Sequence, residues 1–274
     1  MTAAAVPAAL GLAALAAGHR ALIVDLWGVV HDGAALLPGA AETLKSIRAA
    51  GKPVVFLTNS ARRQANLVAL LDRLGLDRSL YRTVVSSGEA AAMALSDAAF
   101  CRTLGGRYVV IGRQEDGAWV HALPAEEVEN PADADFALAT GLLDDDTTDE
   151  TWAPMFADWL ARGVPLVCAN PDLQVVHDGR LRRAGGALAK AFREAGGRVL
   201  LYGKPDRPIY DACFAALPDI PRRAVLAVGD SLATDIAGAA AAGLDSVLVT
   251  ETGLPGGGGP AGVRPTATIP RFAW

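Results

Sequence analysis

The chain is poor in charged residues and shows no excess of basic ones. Charged residues make up 20% of its 274 residues and hydrophobic residues 51%, a balance that excludes an intrinsically disordered protein. The formal net charge is -5, and no basic stripe interleaved with aromatic residues occurs, so we expect no nucleic-acid partner. A chain of this length can bury a large core in one or two domains.

Cysteine is also scarce. Cys101, Cys168 and Cys213 are odd in number and widely spaced, which fits neither a disulfide framework nor a zinc site. We therefore predict a cytoplasmic protein with three core cysteines. Residues 1–18 are alanine-rich but contain no Lys or Arg, so we interpret them as an N-terminal helix and not as a signal peptide. The stretch is too short to span a bilayer, and we expect no membrane partner.

Two widespread catalytic motifs are missing. Gly203 and Lys204 are followed by Pro205, where a P-loop requires Ser or Thr. No G-x-S-x-G sequence is present to form the nucleophile elbow of a serine hydrolase. The chemistry must therefore come from other residues.

Apolar runs alternate with helix-like segments at both ends of the chain, over residues 21–86 and 199–249. Such alternation predicts a doubly wound, Rossmann-like α/β core with a parallel sheet covered on both faces. Further strand-like runs and a hairpin turn at residues 177–179 lie between them. We predict a core domain formed by residues 1–87 plus 199–274, with residues 88–198 inserted as a second α/β domain.

Four apolar runs of the predicted core each end in polar residues. These are Asp25 after the first run, Thr58, Asn59 and Ser60 after the second, Lys204 after the third and Asp230 after the fourth. Because the carboxyl ends of strands in an open parallel sheet share one edge, we expect these groups to converge there.

Together these groups suit phosphoryl transfer. Asp25 supplies a carboxylate that can attack phosphorus, and Asp25 with Asp230 offers the hard oxygen ligands that Mg²⁺ takes. Lys204 and Thr58 can hold phosphoryl oxygens. Taken singly, Thr58, Asp230 or Asp235 could instead cap a helix, and Lys204 could be a solvated loop residue. Their joint occurrence at four strand ends favours the functional interpretation.

The chain resembles the haloacid dehalogenase (HAD) superfamily of phosphohydrolases over nearly its whole length. The four motifs that carry the resemblance begin at Asp25, Leu57, Gly203 and Gly229, and the last, Gly-Asp-Ser-Leu-Ala-Thr-Asp, is the most specific. The segments Pro38-Gly39-Ala40 and Ala169-Asn170-Pro171-Asp172 resemble the class IIA branch, which includes p-nitrophenyl and pyridoxal phosphatases. That branch carries an α/β cap domain between the second and third motifs.

The resemblance implies a role for each matching residue. Asp25 would be the nucleophile, and the Mg²⁺ ligands would be Asp25, the Trp27 carbonyl, Asp230 and Asp235. The substrate-binding residues would be Thr58, Asn59, Ser60, Lys204, Asn170 and Asp172. The substrate implied is a small phosphorylated metabolite. The sequence leaves the oligomeric state open, a homodimer being one option.

Trp27 departs from the family pattern. Family phosphatases carry an aspartate at this position, which protonates the leaving oxygen and then activates water. An indole cannot exchange protons in that range, and general acid–base catalysis is typically worth roughly 10²–10⁴-fold in rate. We therefore expect slow turnover. His31 or Asp32 could substitute as proton donor, but a polar turn is the favoured interpretation of both.

Other interpretations stay open at this stage. The chain could be a ligand-binding or regulatory protein with negligible turnover, or an enzyme that cleaves C–P or C–halogen bonds. Arg180, Arg182 and Arg183 could meet an anionic substrate tail, although a solvated hairpin face is favoured. The acidic residues between 144 and 150 are interpreted as a loop that caps a helix and not as a metal site.

Overall fold

The fold is given by a computed structural model. It describes residues 6–9, 11–112, 118–144, 147–177, 180–252 and 258–274. Asp145, Asp146 and the turn residues Asp178 and Gly179 lie outside the described residues. Among the described residues, no helix is long and apolar enough to cross a membrane.

Strands and helices alternate along most of the chain. The strands are β1 (Ala21–Val24), β2 (Val54–Thr58), β3 (Thr83–Ser86), β4 (Arg107–Ile111), β5 (Glu126–Glu127), β6 (Phe136–Ala139), β7 (Leu166–Cys168), β8 (Gln174–His177), β9 (Arg180–Arg183), β10 (Val199–Leu201), β11 (Val225–Gly229), β12 (Asp245–Val249) and β13 (Ala267–Ile269). The helices are α1 (Ala13–Ala16), α2 (Ala40–Ala49), α3 (Gln64–Arg73), α4 (Ser87–Ser96), α5 (Ala98–Leu104), α6 (Asp149–Arg162), α7 (Gly185–Glu194), α8 (Arg207–Ala215) and α9 (Ala237–Ala242).

The chain divides into two compact units. The first unit comprises residues 1–58, 67–85 and 204–274, and the second comprises residues 59–66 and 86–203. The α/β fold class predicted from the sequence is confirmed. The sequence-based domain boundaries at 87/88 and 198/199 stay a prediction.

The first unit is built on a six-stranded sheet in the order β13-β12-β11-β1-β2-β3. Strand β1 pairs in parallel with β11 on one side and β2 on the other. All residues of β1, β2 and β11 are buried, as expected for central strands covered on both faces. Aliphatic side chains such as Leu22 and Val228 pack with Leu44 and Ile47 of α2 in one hydrophobic core.

The prediction of a helix over residues 1–18 is wrong for its described N-terminal part. Ala8 forms an isolated parallel bridge with Thr268 of β13, and the carbonyl of Pro7 accepts the Thr268 N–H at 2.9 Å. These residues are extended because their backbone groups form hydrogen bonds with the backbone of β13. Helix α1 begins only at Ala13.

The second unit contains a five-stranded parallel sheet in the order β10-β7-β6-β4-β5 and a separate antiparallel hairpin of β8 and β9. On one side of the sheet, Trp159 is fully buried against Phe156 and Phe192, with ring centroids 6.3 and 5.6 Å away. Aromatic groups of this size contribute much of the apolar area that stabilises a small unit. The second unit therefore has a core of its own.

Candidate active site

Three neighbouring strands of the first unit deliver polar side chains at their carboxyl ends. Asp25 follows β1, Thr58 is the last residue of β2, and Asp230 follows β11. Val24 pairs with Val228, and the Asp25 N–H donates to the Val228 carbonyl at 2.9 Å. This register places Asp25 beside the start of the Gly229-Asp230 turn. The parallel pairing thus brings together residues that are about 200 positions apart.

Lys204 joins two of the carboxylates. Its Nζ lies 2.5 Å from Oδ1 of Asp25 and 2.8 Å from Oδ1 of Asp235, and it also donates to the Leu57 carbonyl at 3.3 Å. Lys204 is 3% exposed and both aspartates are 6% exposed. Charges buried this deeply are stable only when they are paired, so these ion pairs hold the cluster together.

The cluster is also rich in negative charge. One ligand oxygen from each of Asp25, Asp230 and Asp235 lies within 4.8 Å of the others. Burial raises the pKa of the Asp25 carboxyl well above its usual range; Lys204 lowers it, whereas Asp235 and Asp230 raise it further. The Asp25 carboxyl is therefore attracted by one ammonium group and repelled by two carboxylates.

These three carboxylates fit a divalent cation. Their oxygens are hard ligands, and they lie close enough together for one ion to contact all three. Asp25, Asp230 and Asp235 would hold the ion. That the Trp27 carbonyl is a further ligand of the ion stays a prediction.

A glycine allows Asp235 to approach the sheet edge. A Cβ added to Gly229 would lie 2.1 Å from Cγ of Asp235 and 2.5 Å from its Oδ1. Real Cβ atoms do not approach so closely, so any larger residue at position 229 would displace the carboxylate. Gly229 is therefore part of the site although it has no side chain.

Asp235 lies in a π-helical turn over Leu232–Ile236. The Ser231 N–H donates to Oδ2 of Asp235 at 3.2 Å, and the hydroxyl of Tyr210 donates to the Asp235 carbonyl at 3.2 Å. Such turns are frequent at functional sites because the wider helix redirects side chains. The sequence analysis included Gly229 and Ser231 in the fourth motif but gave neither a role, and it missed Tyr210.

The segment after Asp25 folds into a tight turn. Trp27 is bridged to His31, and a methyl group built on Gly33 would lie 3.7 Å from Nε1 of Trp27. Nδ1 of the buried His31 accepts the Gly33 N–H at 2.9 Å. Oδ1 of the exposed Asp32 accepts the N–H groups of the two residues at positions 34 and 35, at 2.9 and 2.8 Å. Both side chains thus organise the turn, as the favoured interpretation of the sequence predicted.

The remaining predicted substrate-binding residues lie in the second unit. Nδ2 of Asn59 donates to Asp172 at 2.8 Å, and the hydroxyl of Ser87 donates to Oδ1 of Asn59 at 3.3 Å. The Asp172 N–H donates to Oδ1 of Asn170 at 3.2 Å. Ser60 Oγ accepts a backbone N–H at 3.2 Å. Asn59, Asn170 and Asp172 are therefore brought together in one network, and Ser87 is a member that the sequence analysis missed.

Two other features of the sequence have structural explanations. The guanidinium of Arg183 lies 4.4 Å from the ring centroid of Trp152 and donates to Asp149 at 2.5 Å. The side chain of Thr148 caps α6 by accepting the Thr151 N–H, so the described part of the acidic stretch caps a helix as predicted.

Known proteins are similar to this chain over most of its length. Residues 22–123 match a family model described as haloacid dehalogenase-like hydrolase, and residues 201–258 match a HAD-hydrolase-like model. Ribonucleotide monophosphatase NagD of Escherichia coli K12 is 32% identical over 237 residues, covering 83% of this chain and 86% of that protein.

Two solved structures are similar along most of the chain. A haloacid dehalogenase-like hydrolase from Brucella suis has a TM-score of 0.83 at 31% identity and covers 96% of this chain and 99% of its own. A glycerol phosphate phosphatase from Mycobacterium tuberculosis in complex with magnesium has a TM-score of 0.61 at 31% identity and covers 87% of this chain and 70% of its own.

Proposed function

The chain belongs to the haloacid dehalogenase-like hydrolases, in their class IIA branch, and from this premise we propose that it hydrolyses small phosphomonoesters through a phosphorylated Asp25. The observation that carries the proposal is the buried cluster in which Lys204 bridges Asp25 and Asp235. Two of the three named relatives are phosphatases, and one of these two was solved with magnesium. We propose Mg²⁺ as the cofactor of this chain.

The reaction divides into two displacements at phosphorus. In the first, the Asp25 carboxylate attacks phosphorus, and the bond to the leaving oxygen breaks with its electron pair passing to that oxygen. In the second, a water oxygen attacks the phosphoaspartate, the Asp25–phosphorus bond breaks, and the carboxylate is regenerated. The water loses one proton, and inorganic phosphate is released.

The residues of the first unit orient and neutralise these groups. Lys204 holds Asp25 in place and offers its ammonium to phosphoryl oxygens, while Thr58 and neighbouring N–H groups bind a remaining oxygen. A bound Mg²⁺ would supply positive charge for the nucleophile and the phosphoryl group. Asp235 fixes Lys204 from the other side.

We further propose that the second unit is the inserted cap, and that its residues Asn59, Ser60, Asn170 and Asp172 contribute to substrate binding. Turnover is proposed to be slow because Trp27 replaces the expected proton shuttle. A cytoplasmic location and a homodimer stay predictions.

The test uses p-nitrophenyl phosphate, whose leaving group needs little protonation. Hydrolysis is measured with and without MgCl₂ for the wild type, for Asp25→Asn and for a matched control, Asp219→Asn, whose carboxylate is exposed. We expect Mg²⁺-dependent hydrolysis by the wild type and the control and none by Asp25→Asn. Wild-type activity no higher than that of Asp25→Asn would favour a binding protein with negligible turnover.

A further inference from the structure

Helix α8 carries a buried tyrosine whose hydroxyl reaches the turn that contains Asp235. The hydroxyl of Tyr210 donates to the Asp235 backbone carbonyl at 3.2 Å, and Tyr210 is 1% exposed. The Asp235 carboxylate contacts the Lys204 ammonium at 2.8 Å, and α8 begins shortly after Lys204 in the sequence. The backbone and the side chain of Asp235 are therefore both held by the segment that follows β10.

The turn that accepts this hydroxyl is not a regular α-helical turn. The Ser231 carbonyl accepts the N–H groups of both Asp235 and Ile236, at 3.0 and 3.1 Å. The Ala237 N–H donates to the Leu232 carbonyl. Hydrogen bonds with i→i+5 spacing are those of a π-helix, which is rare and occurs mostly as a single turn. Because one carbonyl serves both spacings, a small shift would restore an α-helical turn, and a hydrogen bond from outside decides which form is populated.

Helix α9, which continues the π-helical turn, leaves space for the tyrosine ring. It reads Ala-Gly-Ala-Ala-Ala-Ala, with Gly238 as its second residue. Alanine has the highest helix propensity and glycine one of the lowest, so local preference alone favours alanine at this position. A Cβ added to Gly238 would lie 2.5 Å from the hydroxyl oxygen of Tyr210 and 2.7 Å from its Cε2. The glycine therefore admits a side chain that any larger residue would displace.

We propose that Tyr210 is a positioning residue of the metal site, because its hydrogen bond keeps the π-helical turn in the form that holds the Asp235 carboxylate beside Asp25 and Asp230. The inference rests on the proposed function and names a residue that supports its cofactor site. Tyr210 acts through Asp235 and not on the ion itself. Without the hydroxyl, the turn populates an α-helical form in which the Asp235 carboxylate is rotated out of place. Binding of the ion must then restore the π-helical form, which lowers its apparent affinity.

Tyr210→Phe removes the hydroxyl and keeps the ring. Binding of MgCl₂ to the full chain, first freed of metal with EDTA, is measured by isothermal titration calorimetry. Loss of one hydrogen bond of ordinary strength predicts a Kd for Mg²⁺ roughly 3–10-fold above that of the wild type. Turnover of p-nitrophenyl phosphate should fall at limiting MgCl₂ and return to the wild-type kcat at saturating MgCl₂, because the bound ion restores the turn.

Tyr108→Phe is the matched control. Tyr108 is also 1% exposed and donates its hydroxyl hydrogen to a backbone carbonyl, that of Val120, but it lies in the second unit. Both variants should lose a comparable amount of thermal stability in EDTA. Only Tyr210→Phe should raise the Kd for Mg²⁺, whereas a merely structural role of Tyr210 would leave that Kd unchanged.

Gly238→Ala tests the same contact from the opposite side. The added methyl group displaces the Tyr210 hydroxyl, so the Kd for Mg²⁺ should rise by about as much as in Tyr210→Phe. The double variant should show little further rise, because both substitutions remove the same hydrogen bond and neighbouring sites are not additive. Fully additive effects on the Kd would contradict the inference.

The remaining outcomes separate the inference from the proposed function. A Kd of Tyr210→Phe within about twofold of the wild type, or an equal rise in Tyr108→Phe, would overturn the inference while the phosphatase function stands. If the wild type binds no Mg²⁺, there is no metal site to position and the inference fails. The proposed function fails with it only if the wild type also cleaves p-nitrophenyl phosphate no faster than Asp25→Asn.

Discussion

Replacing Lys204 by methionine tests whether one lysine stabilises the buried carboxylate cluster. Methionine keeps most of the volume but removes the charge that lies 2.5 Å from Asp25 and 2.8 Å from Asp235. At an effective dielectric constant of about 20, each pair attracts by about 6 kcal/mol before desolvation is subtracted. Removing one partner of a buried ion pair costs about 3–5 kcal/mol net, because the remaining charge stays buried.

The expected result is a large fall in thermal stability. At about 2–4 °C per kcal/mol, the melting temperature in EDTA should fall by roughly 6–20 °C. Lys190→Met is the matched control, since its ion pair with Glu194 is 58% and 64% exposed, and surface pairs contribute about 0–1 kcal/mol. Circular dichroism melts of wild type, variant and control measure the three values side by side.

The deficit of the variant should also depend on pH. Burial raises the pKa of Asp25, and Lys204 opposes that rise, so the variant lacks the group that lowers it. The folded state then retains a proton that the unfolded state releases near pH 4, and stability falls as the pH rises above that value. We expect the smallest deficit near pH 4 and a larger one at pH 8. A variant that melts within about 2 °C of the wild type at pH 8 would refute the account of Lys204.

Two further substitutions probe one feature of each unit. Gly229→Ala should displace the carboxylate of Asp235, reduce Mg²⁺-dependent turnover and destabilise the folded protein by about 1–3 kcal/mol. The control Gly18→Ala should change neither turnover nor stability, because no atom lies within 4 Å of the added methyl group. Wild-type-like kinetics in Gly229→Ala would contradict the close approach of Asp235. Glu89→Gln removes the charge that pairs with Arg63 at 2.7 Å, and the hydrogen bond from Arg63 lowers the pKa of Glu89. The wild type should therefore be more stable than Glu89→Gln by about 1 kcal/mol at pH 7, and this difference should disappear below about pH 4. Urea unfolding at pH 7 and pH 3 measures it. A difference that persists at pH 3 would speak against a charge effect.

The main secondary-structure elements of the first unit could be predicted from local patterns. Continuous apolar runs such as β1, β2 and β11 are recognisable because both faces of a central parallel strand are buried. The N-terminal segment was predicted less well. Its alanine content favours a helix, but Pro7 and Ala8 make backbone hydrogen bonds and a bridge beside β13, and such a long-range partner leaves no local signal.

The same division applies to the candidate site. The placement of Asp25, Thr58 and Asp230 at one edge of the sheet could be predicted from their positions at strand ends, since the carboxyl ends of strands share one edge in an open parallel sheet. Ser87 and Tyr210 could not, because each contributes through one hydrogen bond to a residue that is distant in sequence. Nothing in their local sequence distinguishes them from other hydroxyl-bearing residues in helices.

The sequence by itself determined the family, the fold class and the types of group available for chemistry, because these depend on periodicity and on residue identity. Only the tertiary structure decided what those groups do to one another. It placed Lys204 between two buried carboxylates, engaged Asp32 and His31 within their own turn, and required glycine at position 229. Distances, burial and hydrogen-bond partners set the protonation and pairing of each group, and these arise only when the chain packs.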